Sequence, residues 1–176
     1  MPPQTPSQTV GPFFHFSLHN QNTLVNDQTR GERIRLVGTV FDGDGEEVPD
    51  AIIEIWQADS SGRFNHPNDP EHEQADKNFL GFGRSDTTQN GTYWFDTIMP
   101  GTRDSQTPHI NVRVFSRGLL IHLVTRIYFS DDANDAVLNS VDSSRRQTLI
   151  ATTDDATTYR FDIHLQGKLE TVFFDV

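Results

Sequence analysis

Residues 109–115, HINVRVF, alternate between two kinds of side chain. Successive residues of a β-strand point to opposite faces of a sheet, so residues two apart share a face. Three aliphatic residues therefore fall on one face of this segment, and polar or aromatic residues fall on the other. The pattern predicts a strand that buries Ile110, Val112 and Val114 and turns toward a site or solvent His109, Asn111, Arg113 and Phe115.

Similar short apolar or alternating segments recur along the chain, at residues 34–42, 51–59, 92–98, 119–129 and 159–166. The pair Asn90-Gly91 suits a type I′ turn and predicts a hairpin that leads into residues 92–98. One helix is predicted over residues 131–139, where acidic residues at its start suit the helix dipole. We therefore predict an all-β protein, a single-domain antiparallel β-sandwich with long loops and one short helix.

Two stretches lie outside this strand pattern. Residues 2–12 are rich in Pro, Gln, Thr and Ser, and residues 60–78 form a long polar excursion. A loop of that length inside a compact domain is usually functional or disordered. We predict an N-terminal arm over residues 1–30, which contacts a site or a partner, and a sandwich over residues 31–176.

The composition narrows the possible functions. The 176-residue chain has no cysteine, which excludes disulfides and cysteine-based metal sites. Its net charge of −11 argues against a nucleic-acid partner, and an anionic ligand would need a local cationic pocket. The N-terminal residues lack a signal-peptide pattern, and no apolar run reaches the length of a membrane span. We expect a cytoplasmic protein with no membrane partner.

Histidines and carboxylates offer one candidate metal site. The densest group is Glu71-His72-Glu73, which can be joined by His66 and His109. A solvated loop is the alternative interpretation of this group. The chain contains no HExxH, His-x-His or EF-hand pattern and no GxSxG or SxxK nucleophile motif. The three tyrosines lie inside strand patterns and are interpreted as core residues: Tyr93, Tyr128 and Tyr159.

Seven segments together resemble one family: TPSQTVGPFF, EIWQADSSGRFNHPND, GFGRSDT, TIMPG, PHINVRVFSRG, TRIYFSDD and YRFDIHLQGKLETVFFD. They follow the order found in the intradiol ring-cleavage dioxygenases and cover most of residues 5–176. The resemblance implies a fold that opens catechol rings with O₂ at a mononuclear ferric ion. In that family two tyrosines and two histidines bind the iron.

The chain departs from the ligand pattern of that family. Where the family has His-x-His, this chain has His109 and Asn111. The two tyrosines belong at residues 70–73 and 102–103, which contain none, and Gln106 replaces an arginine of the family. Altering even a residue behind a metal ligand weakens metal affinity by about 10- to 100-fold, so losing three ligands should abolish the site. We predict that this chain binds no metal and holds no catalytic residue.

Within the family, the chain resembles the non-catalytic α chains of two-chain members. This resemblance implies a homologous β subunit that binds the Fe³⁺, and a higher hetero-oligomer. It implies protocatechuate and O₂ as substrates, with four residues of this chain lining the substrate pocket of the partner: Thr9, Gly11, Pro12 and Arg117. The guanidinium group of an arginine can pair with the carboxylate of a carboxylated catechol. By the period of two, Arg117 is also expected to continue the row of His109.

Two alternatives from other classes stay open. The first is a stand-alone β-sandwich that kept the fold and binds a small molecule or a peptide. The second is a metalloenzyme with a rebuilt site made of His66, Glu71, His72 and His109.

Overall fold

The computed structural model describes residues 3–132, 134–153 and 155–175. These residues form nine β-strands and one α-helix. In chain order the elements are β1 (Arg33–Phe41), β2 (Ile52–Trp56), β3 (Phe82–Asp86), β4 (Thr92–Ile98), β5 (His109–Phe115), β6 (Leu123–Tyr128), α1 (Ala136–Ser140), β7 (Thr152–Thr153), β8 (Thr158–Arg160) and β9 (Ile163–His164). Short 3₁₀ helices cover Phe14–Ser17, His72–Gln74 and Arg146–Leu149.

The strands form two sheets. A four-stranded sheet has the order β3-β2-β5-β6 and is antiparallel throughout. A five-stranded sheet has the order β4-β1-β8-β7, and β9 also pairs with β1. Strand β1 pairs antiparallel with β4 but parallel with β8 and β9. The predicted all-β sandwich is confirmed, with two parallel pairings at β1 that the alternation of side chains did not indicate.

The core between the sheets is built from alternate positions of the strands. Ile110, Val112 and Val114 of β5 are fully buried in it, together with Leu36 of β1 and Phe95 of β4. Burying large aliphatic and aromatic side chains is the main favourable term in folding. The two-faced pattern predicted for residues 109–115 is therefore confirmed.

The three tyrosines lie at the core, as predicted. Tyr93 is buried in the main cluster, and Tyr159 is half-buried against it. Tyr128 is buried in a smaller cluster that also contains Leu138 and Leu149.

The hairpin prediction at Asn90-Gly91 is wrong in its pairing. Both residues have positive φ, 55° and 67°, as a type I′ turn requires. However, β3 before the turn pairs with β2, and β4 after it pairs with β1. The turn therefore carries the chain from one sheet to the other.

Three predicted strands are shorter than expected. The segment predicted at residues 51–59 forms only β2, Ile52–Trp56. Strand β6 begins only at Leu123, and Leu120 and Ile121 before it are 64% and 66% exposed. The segment 159–166 keeps its alternation of burial but is interrupted between β8 and β9. At the interruption Asp162 Oδ1 accepts a hydrogen bond from the Thr39 N–H at 2.9 Å.

The predicted helix is also shorter than residues 131–139. Asp135 is its N-cap, because its side chain accepts hydrogen bonds from the N–H groups of Val137 and Leu138. Ala133, inside the predicted range, lies outside the described residues. No helix in the described part of the chain is long and apolar enough to cross a membrane.

Three buried carboxylates hold the polar excursion at residues 60–78. Asp59 accepts hydrogen bonds from the N–H groups of residues 61, 63 and 76 at 2.8, 3.0 and 2.8 Å. Asp69 accepts from residues 64 and 71, and Asp76 accepts from residues 30 and 78. Burial raises the pKa of Asp59 and Asp76, but these hydrogen bonds outweigh it and lower both pKa values. The excursion is therefore ordered.

The first residues of the chain fall into an exposed and a packed part. Residues 3–10 are exposed and belong to no strand. Further along, Leu24 is fully buried in the main core, and Thr23 bridges Asp96 of β4. The division of the chain at residue 30 stays a prediction, and the second half of the arm packs on the sandwich.

Candidate functional site

The outer face of the four-stranded sheet carries the side chains of β5 that lie on the same face as His109. Strand register aligns two cross-strand rows on this face. The first row is Arg84, Glu54, Arg113 and Val124, and the second is Phe82, Trp56, Asn111 and Arg126. Residues opposite each other in neighbouring strands have side chains in contact range, so each row acts as a continuous surface.

A cavity of about 810 Å³ lies over these rows. We call it the outer groove and define it by six of its lining residues: Trp56, Phe82, Asn111, Arg113, Arg126 and Phe174. Its volume is in the range of small-molecule sites, about 300–1,000 Å³. The groove therefore occupies the face that the sequence predicted to turn toward a site or solvent.

His109 is half-buried at the start of β5. Its Nδ1 lies 2.8 Å from the carbonyl oxygen of Thr107, and its ring lies 5.6 Å from the ring of Tyr128. Burial lowers the pKa of the His109 imidazole, the Thr107 carbonyl opposes this effect, and the charge of Arg126 adds to it. The packed position of His109 therefore disfavours the charged form of its imidazole.

The lowered pKa of His109 predicts a loss of stability in mild acid. The unfolded state binds a proton near pH 6.5, whereas the folded state resists protonation, so stability falls as the pH drops below about 6.5. The slope from this residue is at most about 1.4 kcal/mol per pH unit. Urea unfolding at pH 5.5 and 7.5 should show a smaller difference for His109→Phe than for the wild type. An unchanged difference would contradict the assignment.

The residues around His109 do not fit a ferric ion. The nearest phenol, Tyr128, has a pKa raised by burial, and its Oη is 3.3 Å from Arg126 Nη1 and 3.4 Å from Asp135 Oδ1. A phenol that resists ionisation is a poor ligand for Fe³⁺, and a nearby guanidinium repels a cation. Asn111 offers only an amide, whose Nδ2 lies 3.4 Å from the Trp56 carbonyl oxygen. We therefore assign no metal-dependent reaction step to the residues of this chain.

The rebuilt metal site is not assembled either. His72 is engaged by the Asp69 carbonyl oxygen at 2.9 Å and by Glu73 at 3.0 Å. Glu71 Oε2 lies 3.7 Å from Arg63 Nε, and the His66 ring lies edge-on to the ring of Trp56. Across residues 3–132, 134–153 and 155–175, no three His, Cys, Asp or Glu side chains are placed to share a metal ion. This arrangement argues against the alternative of a rebuilt metalloenzyme.

An ion pair joins Arg103 to Asp69, which directly precedes residues 70–73, the other segment where the resemblance places a missing tyrosine. Arg103 donates through Nη1 and Nη2 to the two carboxylate oxygens of buried Asp69, and also to the Gly62 carbonyl oxygen at 3.2 Å. Its guanidinium also lies 5.5 Å from the ring centre of Phe64. Arg103 holds the pKa of Asp69 well below its usual range. The two segments are thus connected by a bidentate ion pair between one guanidinium and one carboxylate.

Two of the predicted substrate-binding residues meet at one turn. Thr9 Oγ1 accepts a hydrogen bond from the Gly118 N–H at 2.9 Å, which places the arm beside Arg117. Gly11 has a φ of 73°, and Gly11 and Pro12 are half-buried.

The predicted extension of the β5 row to Arg117 is wrong. Strand β5 ends at Phe115, and Arg117 lies in the following turn. Its guanidinium Nη1 is 3.0 Å from Oδ2 of Asp50, a buried carboxylate that precedes β2. The side chain of Arg117 itself remains 58% exposed. Arg117 is therefore held by an acidic residue while one side stays open.

A second cavity connects the arm to the outer groove. It has a volume of about 470 Å³, and its lining includes Gln8 and Val10 of the arm. It shares Val124, Phe174 and Asp175 with the outer groove. Gln8 and Val10, which flank the predicted residue Thr9, therefore border a surface that is continuous with the outer groove.

Sequence reasoning gave no role to Arg113 and Arg126 of this surface, or to Asp50, the partner of Arg117. The alternation in β5 put Arg113 on the correct face, but nothing assigned it a role. Arg126 shares a row with Asn111 only through the β5–β6 register, which is a long-range property.

These features define a class of protein. The chain is a two-sheet β-sandwich with one imidazole, that of His109, on the strand that borders a groove on its outer sheet face. Residues 10–167 match the sequence model of the Dioxygenase family, and the chain belongs to that family. The family depends on non-haem iron.

Particular relatives cover the whole chain. The chain is 43% identical over 195 residues to the protocatechuate 3,4-dioxygenase alpha chain of Burkholderia cepacia, covering 98% of each. It is 34% identical to the beta chain of the same organism, covering 92% of this chain and 75% of that one. The solved intradiol ring-cleavage dioxygenase of Tetranychus urticae superposes with a TM-score of 0.67 at 20% identity, over 95% and 98% of the two chains. The last similarity supports the fold alone.

Proposed function

We propose that this chain is the non-catalytic α subunit of a protocatechuate 3,4-dioxygenase. With an iron-bearing β subunit it would cleave protocatechuate with O₂ to 3-carboxy-cis,cis-muconate. The observation that carries the proposal is the 43% identity to an alpha chain over 98% of both sequences. The residues around His109, which do not fit iron, support placing the Fe³⁺ on the partner.

In this proposal the chain contributes one wall of the substrate pocket of the partner. Thr9, Gly11, Pro12 and Arg117 would form that wall, and the Thr9–Gly118 hydrogen bond supports their grouping. Arg117 would attract the carboxylate of protocatechuate, which is otherwise repelled by a chain of net charge −11.

Exposed apolar side chains of the arm support a partner chain. Phe13 and Phe16 are 72% and 75% exposed, and their rings stack at 6.0 Å. Val10, Leu120 and Ile121 are exposed as well. Interface cores are enriched in aromatic residues, and clustered exposed apolar residues mark interaction surfaces. A homologous β subunit is the proposed partner, and a higher hetero-oligomer in the cytoplasm stays a prediction.

Expression of the chain alone and with its β homologue tests the proposal. We expect the chain alone to contain no iron, to lack the visible tyrosinate absorption band and to show no ring cleavage. The pair should contain iron and cleave protocatechuate with a lower KM than the β chain alone. Iron with a tyrosinate band in the chain alone would overturn the assignment, and so would a pair no better than the β chain.

The stand-alone binding sandwich is the second candidate function, favoured by the preformed outer groove. It predicts a stable homo-oligomer that does not associate with a β homologue when the two are co-expressed. Size-exclusion chromatography of the same preparations distinguishes the two candidates.

A further inference from the structure

Arg113 lies in the outer groove and forms no ion pair with the described residues. Its cross-strand neighbour Glu54 accepts through one oxygen, Oε1, from Nε and Nη2 of Arg84 at 2.9 and 2.6 Å. No carboxylate in the described part of the chain comes within 4.0 Å of Arg113. One oxygen of the nearby acid is thus held by another arginine, and Arg113 forms no direct ion pair with that acid.

Among the described residues, the second cation of the groove, Arg126, donates side-chain hydrogen bonds to uncharged groups only. It donates to Gln106 Oε1 at 3.0 Å and to Tyr128 Oη at 3.3 Å. Arg126 is diagonal to Arg113 across the β5–β6 pair, a separation of about 7–8 Å between backbones. Two long guanidinium side chains at that spacing can reach one carboxylate. Asp175 at the rim is the remaining acidic group of the lining.

The other walls of the groove are aromatic and fixed. The Trp56 ring lies parallel to Phe64 with 5.6 Å between ring centres and 2° between planes. Phe82 is its neighbour across the β2–β3 pair. Phe174 is anchored because its N–H donates to the Val124 carbonyl oxygen at 2.8 Å. A ligand with a flat aromatic ring can stack on these walls, so such a ligand should bind better than a compact anion.

We propose that the outer groove binds small aromatic carboxylates without any metal. The carboxylate contacts Arg113 and Arg126, Asn111 offers an amide to a ring substituent, and the ring lies among Trp56, Phe82 and Phe174. Paired guanidinium groups favour a carboxylate because they can donate several hydrogen bonds to it. All of these residues belong to this chain, so the proposal does not depend on the proposed α-subunit role. A negative result for binding in the groove would therefore leave the proposed α-subunit role unaffected.

Titration with benzoate tests the proposal, because benzoate has no pair of hydroxyl groups with which to chelate iron. The chain has two tryptophans, so Trp94→Phe leaves Trp56 as the reporter. We expect saturable quenching of Trp56 fluorescence by benzoate. Arg113→Gln should weaken binding about ten-fold or more, and Arg113→Lys should restore part of the affinity.

Matched controls separate a built site from general attraction. Lys168→Gln removes the same charge from an exposed position outside the groove and should change the affinity less than about two-fold. Benzamide lacks the charge and acetate lacks the ring, so both should bind at least about ten-fold more weakly. Saturation-transfer NMR on benzoate repeats the comparison without a fluorescent reporter. Absence of saturable binding, indifference to Arg113→Gln, or equal binding of acetate as an adventitious anion would each overturn the proposal.

Discussion

Replacing Asp69 by asparagine is expected to lower the free energy of unfolding by about 3 kcal/mol. The substitution removes the charge that Arg103 faces, and breaking one partner of a buried ion pair typically costs about 3–5 kcal/mol. The Asp69 side chain is only 3% exposed, and it also accepts hydrogen bonds from the N–H groups of Phe64 and Glu71. Urea denaturation at pH 7 measures the effect.

Asp104→Asn provides the matched control. Asp104 also contacts Arg103, at 3.3 Å, but its side chain is 79% exposed, so the loss should stay below about 1 kcal/mol. The low pKa of Asp69 fixes the sign of the pH dependence. Its contribution is complete above the unfolded pKa of about 3.9 and disappears as the pH falls toward the folded value. Equal effects of the two substitutions at pH 7 would contradict the buried ion pair.

Replacing Arg117 by alanine in the two-chain enzyme should raise KM for protocatechuate about ten-fold or more. A hydrogen bond to a charged group contributes about 1.5–3 kcal/mol, which corresponds to at least a ten-fold change in affinity. Iron content should stay unchanged, because this chain does not bind the metal. Steady-state kinetics and iron analysis of the same preparation measure both quantities. Loss of iron would contradict the role proposed for Arg117.

The ion pair with Asp50 requires a second variant. Arg117→Ala leaves the buried Asp50 carboxylate without its cation, so a purely structural role would also affect activity through stability. Adding Asp50→Asn removes that charge and should restore stability while KM stays high. Arg35→Ala removes an ion pair of the same length, Arg35 to Asp96 at 3.0 Å, from the other sheet, and should leave KM unchanged. A double variant with normal KM would assign Arg117 to structure alone.

Local patterns predicted faces and turns correctly. The alternation over residues 109–115 placed Ile110, Val112 and Val114 in the core, because the strand period of two is a property of the backbone. The positive φ values of Asn90 and Gly91 followed from their residue types.

Long-range partners were not predictable from those patterns. The Asn90-Gly91 turn resembles a hairpin locally, but the strands before and after it pair with β2 and β1, which lie in different sheets. The Arg103–Asp69 and Arg117–Asp50 ion pairs join residues that are far apart in sequence. One segment, 159–166, was predicted with the correct faces as one strand, and the Asp162–Thr39 contact divides it.

The carboxylates that hold the excursion at residues 60–78 also determine how it opens. Six of its backbone amides, those of residues 61, 63, 64, 71, 76 and 78, bond to just three side chains. Asp59 and Asp76 are themselves coupled, because Asp59 accepts the N–H of Asp76. Release of one end therefore loosens the other, and amide hydrogen exchange in this segment should proceed as one cooperative unit. The loop is held together by three buried carboxylates rather than by a hydrophobic core, and it should open and close as a unit of its own.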